Sequence, residues 1–234
     1  MDHSVLRGAV DEAFAVTGAD TPPWPDPHPD GEVRDEEYTR CTKPEKYRIL
    51  AARAQAWTRA LCGPGLAEAE PAAAPAALWR RAGDRALGGA VRLRPVRAGA
   101  APLIFGFAAV DGVPRTVLVI GAGEPAKTLG ALPDCGCDAC DDGSEQLIEA
   151  VDDLVLAVVT GTFVHIDAGR GREIVATGDE RSASDWDDVR DPVEEAVAAA
   201  RAGHSPYEVV QGQAWGVPGA TPRPPAAGSA VREG

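Results

Sequence analysis

Apolar positions recur four apart near the start of the chain. Leu6, Val10 and Phe14 fall on one face, which predicts a helix from Ser4 to Val16. A second stripe, Tyr47, Leu50, Ala51, Ala54, Trp57 and Leu61, predicts a helix stopped by Gly63-Pro64. Arg48, Arg53 and Arg59 lie mostly off that stripe. Thr42-Lys43-Pro44-Glu45 has the spacing of a capping box at its start. The broadest apolar face belongs to Ser144–Thr160, where Leu147, Ile148, Val151, Leu154, Val155, Val158 and Val159 point inward. Glu145, Glu149, Asp152 and Asp153 are expected to face water, and Gly161 to follow the helix as its C′ residue. A last helix opens at Asp191-Pro192-Val193-Glu194, with Asp191 as N-cap, and ends at Gly203.

Between these helices the period changes to two. Val91 and Leu93 alternate with Arg92 and Arg94, and Pro95 marks an edge or a bulge. Leu103 to Val110 and Arg115 to Ile120, joined by Asp111-Gly112-Val113-Pro114, read as a hairpin. Thr162 to Asp167 and Glu173 to Thr177 form a second, and Tyr207 to Val210 a short extra strand. Two hairpins plus an edge strand, interrupted by helices, do not make a βαβ alternation. The expected fold is α+β, a mostly antiparallel sheet packed against about four helices.

Prolines at 22, 23, 25, 27 and 29 make residues 21–34 an extended loop, which Trp24 would pin to the surface. Residues 64–77 read as an Ala/Pro linker and 217–234 as a disordered tail. The expectation is one α+β domain over residues 1–216.

The chain has 234 residues and a formal charge of −13. That charge repels phosphate backbones, so neither nucleic acid nor an anionic membrane is an expected partner; a protein partner fits better. The first residues carry acids and no apolar core of a secretion signal, and no stretch reaches the ~18 apolar residues of a membrane span. A cytoplasmic location is expected, with the five cysteines as thiols. The chain holds no asparagine and three lysines amid abundant Ala, Arg and Pro, a composition that GC-rich codons produce.

The unusual chemistry sits in LPDCGCDACDDGSEQ, beginning at Leu132. Cys135, Cys137 and Cys140 have a spacing that lets three thiolates reach one Zn²⁺. A structural zinc needs a fourth ligand, for which Cys41, Cys62, His165, His204, Asp134 and Asp138 are the candidates. The same residues allow a redox reading: Cys137-Asp138-Ala139-Cys140 is a C-x-x-C ahead of a helix, although the aspartates oppose thiol ionisation. Asp138, Cys140, Asp142, Gly143 and Glu149 also fall on a calcium-loop frame, but a thiol suits a hard cation badly and Pro133 and Gly136 preclude the entering helix. The plain alternative is a compact turn under a helix N-terminus.

His165 on a strand reads as a core residue and His204 as a helix-end group. Gly121 to Ala126 fits G-x-G-x-x-A but lacks the following helix, so it reads as a turn. No nucleophile elbow, P-loop or H-E-x-x-H motif occurs.

The run PDCGCDACDDGSEQLIEAVDDLVLAVVTGTFVHI, with EYTRCTKPEKYRILAARAQAW upstream and VEEAVAAARAG downstream, resembles an uncharacterised actinobacterial family, a domain of unknown function. The resemblance covers roughly residues 5–216 and implies a bacterial cytoplasm, with no activity or cofactor attached. The expectation is a non-catalytic binding or interaction module with a structural, zinc-capable cysteine loop. A thiol redox sensor or enzyme using Cys137 and Cys140 is the alternative.

Overall fold

The computed structural model describes residues 3–80 and 85–216; the tail expected at 217–234 lies outside them. Four helices are present among these residues: α1 (His3–Thr17), α2 (Arg48–Cys62), α3 (Ser144–Thr160) and α4 (Val193–Arg201). Nine strands join them: β1 (Ala67–Pro71), β2 (Gly89–Pro95), β3 (Leu103–Val110), β4 (Val113–Gly123), β5 (Ala126–Leu132), β6 (Phe163–Asp167), β7 (Glu173–Thr177), β8 (Glu180–Ser184) and β9 (Glu208–Gln211). The fold is α+β, as the mixed periodicities require. Its strands divide into two antiparallel sheets, ordered β1-β2-β3-β4-β5 and β8-β7-β6-β9.

The larger sheet turns one face to the helices. Leu93, Leu103, Phe105, Leu118 and Ile120 join Leu50, Trp57 and Leu61 of α2, Val10 of α1 and Val155 and Val158 of α3 in the main core. Burying side chains of this size contributes about 1.5–3 kcal/mol each. The opposite face, with Ile104, Val117 and Val119, lies under Trp79. The smaller sheet packs Val164, Ile166, Ile174 and Ala176 against Ala196, Val197 and Ala200 of α4.

Three local expectations change. Residues 64–77, read as a linker, carry β1, whose Ala-Glu-Ala-Glu alternation pairs with β2 and sets Glu70 beside Arg92 (3.0 Å). Thr42 does not cap α2; its hydroxyl and amide serve Asp138 instead, and a 3-10 turn at Pro44–Tyr47 leads into the helix. Asp191 does not cap α4 but accepts a hydrogen bond from the Tyr207 hydroxyl at 2.7 Å.

Asp152, expected in water, is buried. Arg53 donates to both its oxygens (2.8 and 2.5 Å), and Trp57 Nε1 donates to Oδ1 at 2.7 Å. Arg53 also reaches Asp11 at 2.8 Å, so one guanidinium ties α1, α2 and α3 together. A second buried polar group lies between the sheets. Lys127 of β5 donates to Asp167 of β6 at 2.6 Å, and His165 Nε2 stands 3.4 Å from Glu173 of β7. No helix among the described residues is long and apolar enough to cross a membrane.

Candidate metal centre

The cysteine loop leaves β5 at Leu132 and enters α3 at Ser144. Cys135-Gly136 runs against the end of β3. A Cβ on Gly136 would stand 2.6 Å from Val110 Cγ1, so the middle residue of Cys-Gly-Cys has no room for a side chain. Asp138–Cys140 forms one 3-10 turn, closed by the Cys140 amide donating to the Cys137 carbonyl at 3.2 Å. Gly143 then takes φ +87°, and a Cβ there would meet the Asp26 nitrogen at 2.6 Å. Only glycine satisfies both the backbone angle and that contact.

The turn brings the three sulfurs within 4.8 Å of one another. Cys137 is buried, while Cys135 and Cys140 are exposed, so the group opens outward. The Cys137 amide donates to Cys135 Sγ at 3.4 Å. Burial pushes the Cys137 thiol up, but hydrogen bonds from the Cys135 and Cys140 thiols and from the amides of Cys140 and Ala139 outweigh it and lower its pKa below the usual thiol value. Cys140 is pushed up to about 12, first because its proton is held by Cys137, then by burial and the neighbouring sulfurs. Within the trio Cys137 therefore ionises ahead of Cys140. A divalent metal would displace the remaining protons, so its affinity must rise with pH.

The loop's aspartates divide into two roles. Asp138 accepts from the Thr42 amide (2.8 Å), the Thr42 hydroxyl and Arg40 Nε (2.9 Å), and its own amide donates to the Arg40 carbonyl at 2.8 Å. Burial opposes its ionisation, yet the Thr42 and Arg40 bonds hold the carboxyl down to about 2. Asp141 is buried and accepts from Trp24 Nε1 (2.9 Å), Lys46 Nζ and the Gly143 amide (3.1 Å). Asp134 and Asp142 are exposed. Two carboxylates therefore anchor the loop and two face solvent.

The anchors reach three other parts of the chain. Trp24 exchanges hydrogen bonds with Ser144 at 3.0 Å in both directions, fixing the proline-rich loop over the start of α3. Lys46 lies 5.5 Å from the Trp24 ring centre and 5.0 Å from that of Tyr47, and the two rings meet edge to face at 5.7 Å. Glu37 gathers Arg34 (2.7 Å), Arg40 (3.0 Å) and His28 (3.3 Å). Arg34 above all holds the Glu37 carboxyl down to about 2. The proline-rich loop, the 34–47 segment and α3 thus meet at the aspartates and Ser144 of the cysteine loop.

None of the six candidate fourth ligands joins the sulfur group among the described residues. Cys41 is half-buried against the main core, with its thiol pushed up by burial. Cys62 ends α2, His165 is buried between the sheets, and His204 is exposed beyond α4. Asp134 faces solvent, and Asp138 is engaged by Thr42 and Arg40. Trp24, Arg40, Thr42, Lys46 and Glu37 were not singled out from the sequence as belonging here. The one available signal was the concentration of cations in RCTKPEK against the aspartates of the loop.

A surface groove of about 530 Å³ lies at the far end of the β4–β5 hairpin, along Ala101, Pro125, Tyr207 and Val210. It is remote from the sulfurs along β5.

Fold and site together define an acidic α+β protein with a three-cysteine loop able to hold a metal ion. Residues 10–217 match the model of a family of unknown function, DUF6226, and the chain belongs to that family. No curated protein and no solved structure matches the chain.

Proposed function

We propose that this protein is a non-catalytic binding module, cytoplasmic, whose Cys135–Cys137–Cys140 loop holds one zinc ion. The observation that carries the reading is the convergence of three sulfurs within 4.8 Å on a loop anchored to distant segments. Thiolates are ligands that zinc favours, and amides aimed at the Cys137 sulfur stabilise its ligating form. Zinc would supply a cross-link between the β5–α3 loop and the elements held by Asp138 and Asp141. The reducing compartment keeps the thiols available. Elemental analysis of full-length protein purified without chelator tests this. One equivalent of zinc, lost in Cys137→Ser, is expected; metal-free wild type after zinc supplementation overturns it.

The second reading is a thiol redox centre, favoured by the opposed acidities of Cys137 and Cys140. A two-electron oxidant such as peroxide would take the electron pair of the Cys137 thiolate. The resulting sulfenic acid would condense with the Cys140 thiol, releasing water and leaving a disulfide. Rapid, dithiothreitol-reversible loss of two thiols from metal-free protein would support it.

A further inference from the structure

We propose that a metal in the three-cysteine loop keeps one coordination position facing solvent, and that this position takes an uncharged nitrogen donor of the imidazole type in preference to an anion. The inference rests on the reading of the loop as a zinc centre.

The position follows from the geometry of the trio. Cys137 forms the buried floor, and Cys135 and Cys140 are the exposed rim, so an ion bound to all three sulfurs has its fourth side outward. None of the chain's other candidate ligands joins the sulfur group among the described residues. Asp138 holds Arg40 and Thr42, Asp141 holds Trp24 and Lys46, and Cys41 packs on the core.

The ligand class follows from charge. Three thiolates on a divalent ion give a complex of net charge −1. Among the described residues, the cations that reach the loop's aspartates are matched by them: Arg40 with Asp138 at 2.9 Å, Lys46 with Asp141, and Arg85 with Asp134 at 4.0 Å. Exposed Asp142 adds negative charge, and the whole chain carries −13. A thiolate, azide or carboxylate must approach against this field, whereas a neutral imidazole meets no such opposition. The neutral nitrogen donor could come from a small imidazole compound or from a histidine on a partner protein.

Cobalt(II) in place of zinc makes the position visible. Sulfur-to-cobalt charge transfer scales with the number of thiolates, and the visible ligand-field bands respond to the remaining ligand. Full-length protein loaded with one equivalent of cobalt is titrated separately with imidazole, with a histidine-containing peptide and with azide. Saturable band shifts with imidazole or the peptide, at concentrations about tenfold below those at which azide acts, are expected. A response to imidazole alone points to a small molecule, and a tighter response to the peptide points to a partner chain. Charge-transfer intensity should be unchanged in Cys41→Ser. Bands that ignore both nitrogen donors, a preference for azide, or loss of one thiolate contribution in Cys41→Ser would each overturn the inference while leaving the metal site standing. Failure to take up cobalt at all would instead bring down the zinc reading beneath it.

Discussion

The protein contains two polar clusters built on opposite plans. At the cysteine loop, each anchoring carboxylate has several donors, and two of the three sulfurs on that loop, those of Cys135 and Cys140, reach solvent. Between the sheets, Lys127, Asp167 and His165 are drawn together away from water beside the half-buried Glu173, and neither ring nitrogen of His165 has a hydrogen bond of good geometry. The first cluster leaves two of its sulfurs accessible. The second joins β5 to β6 and β7 and leaves His165 only 1% exposed. A histidine near two carboxylates is thus no better a functional candidate than the depth of its burial allows. Three cysteines on a surface turn are the better one.

The largest expected effect falls on the buried cluster. Lys127→Met removes the cation that faces Asp167 at 2.6 Å and should cost about 3–5 kcal/mol in urea denaturation. In metal-free protein, Cys137→Ser should cost only about 1 kcal/mol, because a small side chain is exchanged for another at a turn. Equal losses from the two substitutions would erase the contrast between a structural cluster and a chemical one.

Metal reverses the order of importance at the loop. Zinc held at a hundred times its dissociation constant should stabilise wild type by about 2.7 kcal/mol. The same zinc should do nothing for Cys137→Ser, and thermal denaturation with and without chelator reads the difference.

The pH dependence separates the clusters again. Burial lowers His165 below its usual 6.5, with Lys127 adding to the effect and Glu173 and Asp167 opposing it. The unfolded chain then binds a proton that the folded chain refuses. Stability is complete above about 6.5 and falls as the pH drops below it, by at most about 1.4 kcal/mol per pH unit. Metal-free His165→Leu should show no such slope between about 6.5 and 4.5. A slope retained in that variant would assign the titration elsewhere.

What the sequence made legible follows the same division. The helix stripes and the β3–β4 hairpin are local patterns, and each appears where its period placed it. β1 and β8 are small or polar strands, Ala-Glu-Ala-Glu-Pro and Glu-Arg-Ser-Ala-Ser, whose pairing partners rather than their own hydrophobicity define them. β5 hides for a related reason: Lys127 breaks its apolar pattern yet is buried against Asp167. Asp152 was assigned to water because it is charged. It nevertheless lies four residues after Ile148 and three before Val155, on the apolar face, and Arg53 occupies the matching place between Leu50 and Trp57. At the candidate site, the spacing of the three cysteines was legible because it is local. The anchors were not, since Arg40 stands 98 residues before Asp138 and only the fold brings them together.

The smallest effect, and the finest test of the comparison, belongs to Asp138→Asn. The amide can still accept from the Thr42 backbone, but its NH₂ replaces an acceptor that now faces Arg40 Nε. Loss of that bond should cost about 1 kcal/mol at neutral pH, and zinc affinity should weaken about tenfold as the turn loosens. The wild-type carboxyl titrates near 2 against an ordinary 3.8, because the Thr42 and Arg40 bonds outweigh burial. Its contribution is therefore present above 3.8 and lost as the pH falls toward 2, well below the window assigned to His165. Asp138→Asn should flatten only the acid end of the stability curve, and His165→Leu only the stretch above it. If either substitution altered both windows, the two clusters would be one coupled system rather than independent centres.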